Sequence, residues 1–136
     1  DDYEEGTFVP TIGGSTTQGS FAGSAANGGF YVKVGRMVQV WVNVSGTLSG
    51  AAGTMRVYGL PFTTASNIAD HAKNAVYSTG SLQYWSGSNQ DVMGPLNYPS
   101  TRYLYFHTYN GSSTGASPAV NNAFHNLHCC AVYYTS

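Results

Sequence analysis

Residues 28–48 read GGFYVKVGRMVQVWVNVSGTL, and the alternation inside them decides the fold. Successive side chains of a β-strand point to opposite faces, so a period of two marks a strand with one side in a core. Val38, Val40, Val42 and Val44 fall on one face, and Met37, Gln39, Trp41 and Asn43 on the other. Phe30, Val32 and Val34 share a face of the preceding run, and Gly35 makes the junction short enough for a tight turn. Val, Tyr and Trp suit a pleated, half-buried surface. The stretch predicts an antiparallel hairpin buried on one side.

Outward from this hairpin, further strands read at Thr54–Tyr58, Val76–Trp85, Arg102–Tyr109 and His125–Tyr134, separated by clusters of Gly, Ser, Asn and Pro. No segment longer than about ten residues holds a helical apolar stripe. Short strands punctuated by turn chemistry, with no helices alternating between them, predict an all-β fold, a sandwich or a barrel. The stretches SGSNQ at 86–90 and NGSSTGASP at 110–118 are read as surface loops within one domain, because strand patterns of the same composition continue on both sides.

A length of 136 residues is enough to bury one core without staples. Charged residues make up only 8% of the chain, so hydroxyl and amide groups must keep its surface wet. With 42% hydrophobic and 14% aromatic residues, the composition is the opposite of a disordered one. Four of the six acids, Asp1, Asp2, Glu4 and Glu5, crowd the first five positions. The rest sets Lys33, Arg36, Arg56, Lys73 and Arg102 against Asp70 and Asp91, a scattered net charge of +3 that is too dilute for nucleic acid. No run approaches the roughly 20 apolar residues of a membrane span, so no membrane insertion is expected.

Most motifs in the chain carry no chemistry. Gly111-Ser112-Ser113-Thr114-Gly115 fits G-x-S-x-G, but lies in a Gly/Ser-rich loop with no helix to form the required elbow. Asp70 and Asp91 are the only acids in the body of the chain available for a two-carboxylate glycosidase site. In HNLHCC, residues 125–130, the strand alternation puts His125, Leu127 and Cys129 on one face and His128 and Cys130 on the other, so neither face offers a full ligand set. A zinc site there would need ligands from elsewhere, such as copies around a symmetry axis. No metal, cofactor or catalytic residue is assigned. The adjacent Cys129 and Cys130 are read as reduced, packed thiols, since bridged cysteines are usually farther apart than neighbours reach. The Asn43 and Asn110 glycosylation patterns are frequent by chance in so Asn- and Ser-rich a chain.

What remains is a composition suited to sugars, which offer C–H faces to aromatic rings and hydroxyls to amides. Tyr77, Tyr84, Trp85, Tyr98 and the row Tyr103, Tyr105, His107 and Tyr109 lie among such partners. Tyr84, Trp85, Tyr98 and Tyr109 are the candidate glycan contacts. The Tyr103 row shares one strand face, opposite Arg102, Leu104, Phe106 and Thr108, and reads as a subunit interface, a ligand site or a wet Tyr surface. An obligate interface would have the same composition.

Taken together and in order, DDYEEGTFVPTI, FYVKVGRMVQVWVNVSG, VYGLPF and the closing LHCCAVYYTS resemble the C-terminal tip domains of phage tail fibres and tailspikes, particularly of marine and cyanobacterial phages. The resemblance is specific over the first sixty or so residues and weak from Thr63 onward. It implies a homotrimeric antiparallel β-sandwich, jelly-roll-like, that caps a fibre on the virion and binds host cell-surface polysaccharide without cleaving it. It also implies that residues 1–6 are a junction from a removed N-terminal shaft, with the tip domain at 7–136 and the first strand starting at Thr7. Gly59-Leu60-Pro61-Phe62 is read as structural: Pro61 ends the preceding strand, and Leu60 and Phe62 anchor the crossing chain. A purely structural trimerisation cap and a monomeric carbohydrate-binding module of a bacterial enzyme are the alternative readings.

Overall fold

The computed structural model of the chain describes residues 2–66, 80–86, 92–108 and 119–135. These residues supply β1 Tyr3–Phe8, β2 Thr11–Gly14, β3 Ser20–Gly23, β4 Gly28–Val34, β5 Met37–Ser49, β6 Met55–Tyr58, β7 Gly80–Ser86, β8 Val92–Asn97, β9 Tyr103–Thr108 and β10 Phe124–Tyr134. One antiparallel sheet runs β1-β4-β5-β10-β7, with β3 also paired to β5, and a second runs β2-β6-β9-β8. The fold is the two-sheet antiparallel β-sandwich that the sequence pattern predicts.

The hairpin at 28–48 is β4 and β5, with Gly35 at the turn in the left-handed region (φ 58°). Val38, Val40, Val42 and Val44 are buried, while Met37, Trp41 and Asn43 are exposed. They meet Leu48, Leu127, Cys129, Ala131 and Tyr133 from the same sheet and Ile12, Met55, Val57, Leu104 and Phe106 from the other in one continuous core. The apolar residues of β4 behave differently. Phe30 stands opposite Trp41 and Val34 opposite Met37, so both lie on the outer face of the sheet. The inner face of β4 is filled instead by Tyr31, whose ring meets Phe62 edge-on at 5.1 Å, and by the Phe8 ring lying over Gly29.

Sheet pairing begins at Tyr3, earlier than the Thr7 start expected from sequence: all of β1 pairs with β4, from Tyr3 opposite Val34 to Phe8 opposite Gly29. The acids do not prevent this, because β1 is an edge strand. Glu4 accepts a hydrogen bond from the Tyr31 hydroxyl (2.8 Å) and Glu5 one from Tyr3 (2.5 Å). β2 and β3 lie in Gly- and Thr-rich sequence without a clear alternation. β8 contains Pro95, which an edge position in the second sheet tolerates.

The Gly59-Leu60-Pro61-Phe62 crossing is anchored as expected. Gly59 has a φ of 99°, Leu60 is buried, and Arg102 donates from Nε to the Leu60 carbonyl (2.9 Å) and from Nη2 to that of Pro61 (2.7 Å). The Tyr133 hydroxyl donates to the Phe62 carbonyl (3.2 Å).

Candidate functional site

The outer face of the first sheet holds a groove of about 630 Å³ built across β4, β5, β10 and β7. Its apolar wall is Phe30 and Trp41, cross-strand partners whose ring centroids lie 5.7 Å apart at a 38° tilt. Trp41 is 40% exposed, a large apolar surface left in water by the same alternation that buries its four valine neighbours. The polar wall is Asn43, Ser81, Gln83 and His128.

Gln83 reaches the groove because of an irregularity in the sheet. Going along β10, His128 pairs with Tyr84 but Cys129 pairs with Leu82, so β7 carries one extra residue at Gln83. Such bulges re-aim side chains and are frequent beside binding sites. His128 donates from Nε2 to Asn126 Oδ1 at 3.1 Å, which leaves Nδ1 without a hydrogen-bond partner among the described residues. Cys130 Sγ lies 3.1 Å from Ser81 Oγ at the floor. The Asn43 and Gln83 amides have no side-chain hydrogen bond among the described residues. No Asp, Glu, Lys or Arg lines the groove among the described residues.

The four candidate contacts from sequence are not brought together. Tyr84, 51% exposed, stands beside the groove with its ring edge-on to His128 at 6.0 Å. Trp85 points inward, where its ring packs 5.0 Å from Phe106 and its Nε1–H donates to His125 Nδ1 at 3.4 Å. Tyr98 lies on the second sheet, stacked on Tyr105 at 4.3 Å and 13°. Tyr109 lies outside the described residues, as do Tyr77, Asp70, Asp91 and the 111–115 loop.

Among the described residues of the Tyr103 row, Tyr105 is buried and Tyr103 and His107 are half-buried against partners from the same chain. Tyr105 is only 6% exposed beneath Tyr98, the Arg56 guanidinium lies 4.1 Å from the Tyr103 ring centroid, and His107 meets Tyr105 edge-on at 5.3 Å. Sequence alternation places these residues correctly on one face, but gives no sign that Tyr98 and Arg56 would cap them.

The HNLHCC alternation holds. His125 is fully buried, accepting from Trp85 at Nδ1 and donating from Nε2 to the Asn121 carbonyl at 2.7 Å, which defines a neutral Nε2–H imidazole. His128 and Cys130 face the groove, and no cluster of three metal-ligating side chains occurs among the described residues. Burial pushes the Cys129 thiol up to about 12, with a smaller contribution from the neighbouring Cys130.

Sequence reasoning thus did not single out Phe30, Trp41, Asn43, Ser81 or Gln83, which line the groove. The available signal was the apolar face of β4, Phe30-Val32-Val34, which pairs with Trp41 rather than with the core.

The fold defines a class, the two-sheet antiparallel β-sandwich, here with a groove on an outer sheet face. Among solved structures it is similar to part of the crystal structure of the Dettilon tailspike protein, with a TM-score of 0.66 at 18% sequence identity, over 98% of this chain and 24% of that one. The chain therefore spans about a quarter of the length of that tailspike chain. No family model and no curated protein matches the sequence. Of the expected resemblance, the finding supports a fold shared with part of a phage tailspike chain.

Proposed function

We propose that the chain is the tip domain of a phage tail fibre or tailspike, which assembles as a trimer on the virion and holds host cell-surface polysaccharide without cleaving it. The carrying observation is the groove: an exposed Trp41 and Phe30 face beside unoccupied Asn43 and Gln83 amides. Aromatic surface with a few directional polar groups is what a sugar ring requires. The fold shared with a tailspike supports the setting. The nested pairing of β5 with β10 and of β6 with β9 supports the jelly-roll-like wrap.

Trimerisation is supported by a second feature of the same face. Tyr3, Val34, Met37 and Tyr134 are mutual cross-strand neighbours on β1, β4, β5 and β10, and all four are exposed. A contiguous apolar row in water favours coverage by another subunit. The same row favours the second reading, a purely structural cap that registers the fibre chains.

Two measurements test the proposal. Light scattering across concentrations should give a trimer mass that Met37→Glu reduces to a monomer; a monomer at every concentration removes the trimer. Labelled protein should adsorb to host cells, and periodate oxidation of the cell-surface sugars should abolish this. Adsorption that survives periodate but not protease treatment of the cells overturns glycan recognition, and absence of adsorption by a stable trimer favours the structural cap.

A further inference from the structure

We propose that the groove selects an uncharged sugar residue, held with one pyranose C–H face against Trp41 and with its hydroxyls between Asn43, Gln83 and His128. This rests on the glycan-binding reading and names the substrate class that the site would take.

Three features of the groove carry it. First, the Asn43 and Gln83 amides point into it without side-chain partners among the described residues, so a purely apolar occupant would strip them of water and return nothing. An amide buried without a hydrogen bond costs about 1–3 kcal/mol. A lipid chain or an aliphatic protein side chain is disfavoured on that ground. Second, no Asp, Glu, Lys or Arg lines it among the described residues, so a carboxylate, sulfate or phosphate would be desolvated there with no Arg or Lys to pair with and only the His128 imidazole beside it. An acidic polysaccharide is disfavoured on that ground. Third, the Phe30 and Trp41 rings, 5.7 Å apart and 43% and 40% exposed, offer a broad apolar surface that is best covered by something flat and weakly polar. A neutral polyol with one aliphatic face satisfies all three conditions together.

The groove also supplies directional chemistry. Each amide gives donors and an acceptor, Ser81 a hydroxyl, and His128 its second ring nitrogen, Nδ1, while Nε2–H is engaged by Asn126. The bulge at Gln83 sets one amide on the far side of the groove from Asn43, so a ring lying on Trp41 is addressed from two edges.

The test is amide and indole NMR of the isotopically labelled protein, titrated with neutral methyl hexopyranosides and, separately, with methyl hexuronates, at low and high salt. The expected result is that neutral glycosides shift the Trp41 indole, Asn43, Gln83 and His128 resonances without salt dependence, and that Trp41→Ala weakens this by about tenfold or more. Asn43→Ala is the second variant: its side chain is exposed and has no hydrogen-bond partner among the described residues, so the variant should fold and should weaken the neutral-glycoside shifts as well. Shifts at the groove from uronates alone, weakened by salt, would overturn neutral selectivity and leave glycan binding standing. Shifts confined to the Tyr98–Tyr105 side would overturn the groove as the site, again leaving glycan binding standing. No shift from any glycoside would overturn both.

Discussion

The ring of Tyr31 occupies the space that a side chain at Gly6 would need: a Cβ there would stand 2.8 Å from the Tyr31 hydroxyl and 2.9 Å from the ring. The two residues are direct partners across β1 and β4, and the neighbouring pair repeats the device in reverse, with the Phe8 ring over Gly29. Each glycine leaves a gap in the pleat that the opposite aromatic fills. The acidic opening of the chain follows from the same contact, since Tyr31 crosses Gly6 to reach Glu4. That hydrogen bond raises the Tyr31 pKa above the ordinary phenol value, so the phenol stays protonated and donating past its usual range.

Gly6→Ala should therefore displace Tyr31 from both Glu4 and Phe62, at a cost of about 1–3 kcal/mol. Gly28→Ala, where an added Cβ meets nothing within 4 Å, is the control and should stay within about 0.5 kcal/mol of wild type. Urea unfolding midpoints compare the two.

Gly80→Ala should be more severe. A Cβ at position 80 would lie 1.8 Å from the Cys130 carbonyl oxygen and 2.6 Å from the Ala131 Cα, both backbone atoms of β10. β7 cannot stay paired around such a contact, and the loss should reach about 3 kcal/mol or more. Hydrogen exchange should show β7 amides losing protection ahead of those of β4.

The two tryptophans should separate stability from recognition. Trp85→Ala removes a ring packed on Phe106 and the donor to His125, and should cost about 2–4 kcal/mol in thermal or denaturant unfolding. Trp41→Ala, on the outer face, should change stability by about 1 kcal/mol or less while abolishing sugar-induced changes in tryptophan fluorescence.

Cys129 makes stability fall in alkali. Its thiol is raised by burial from 9.0 to about 12, so above about pH 9 the unfolded chain releases this proton while the folded chain keeps it. The neutral thiol's contribution is whole below that range and is lost progressively up to about pH 12, at a cost on the order of 4 kcal/mol. Tyr133, likewise raised by burial, adds to the loss at the upper end. Denaturation midpoints against pH should fall less steeply in Cys129→Ala, and native Cys129 should resist alkylation until the protein unfolds.

The sequence made the core strands legible because their periodicity is set by burial. The four valines of β5 and the alternation through HNLHCC land on the faces expected, and the GLPF anchors land where Pro61 forces the chain to leave its sheet. Strands without apolar alternation were not legible. β2 (TIGG) and β3 (SFAG) are four residues each, too short and Gly-interrupted to show a period, and β8 hides behind Pro95, which counts against a central strand but not an edge one. The groove was less legible still. Tyr84 and Trp85 are adjacent in sequence, yet pairing with His128 and Leu127 sends one out and the other in. Gln83 enters the site through a bulge that no residue pattern announces, and Tyr98 finds Tyr105 from a separate segment of the chain.

The outer strands β1 and β8 carry a further consequence. β1 bears Glu4 and Glu5, and β8 bears Pro95, which has no N–H to offer. Charge and proline on a sheet margin oppose templated addition of another strand, the step by which crowded β-domains grow into cross-β fibrils. Copies held side by side at high local concentration would thereby be kept from zippering together along these margins, leaving the broad outer face around Met37 open to lateral contact.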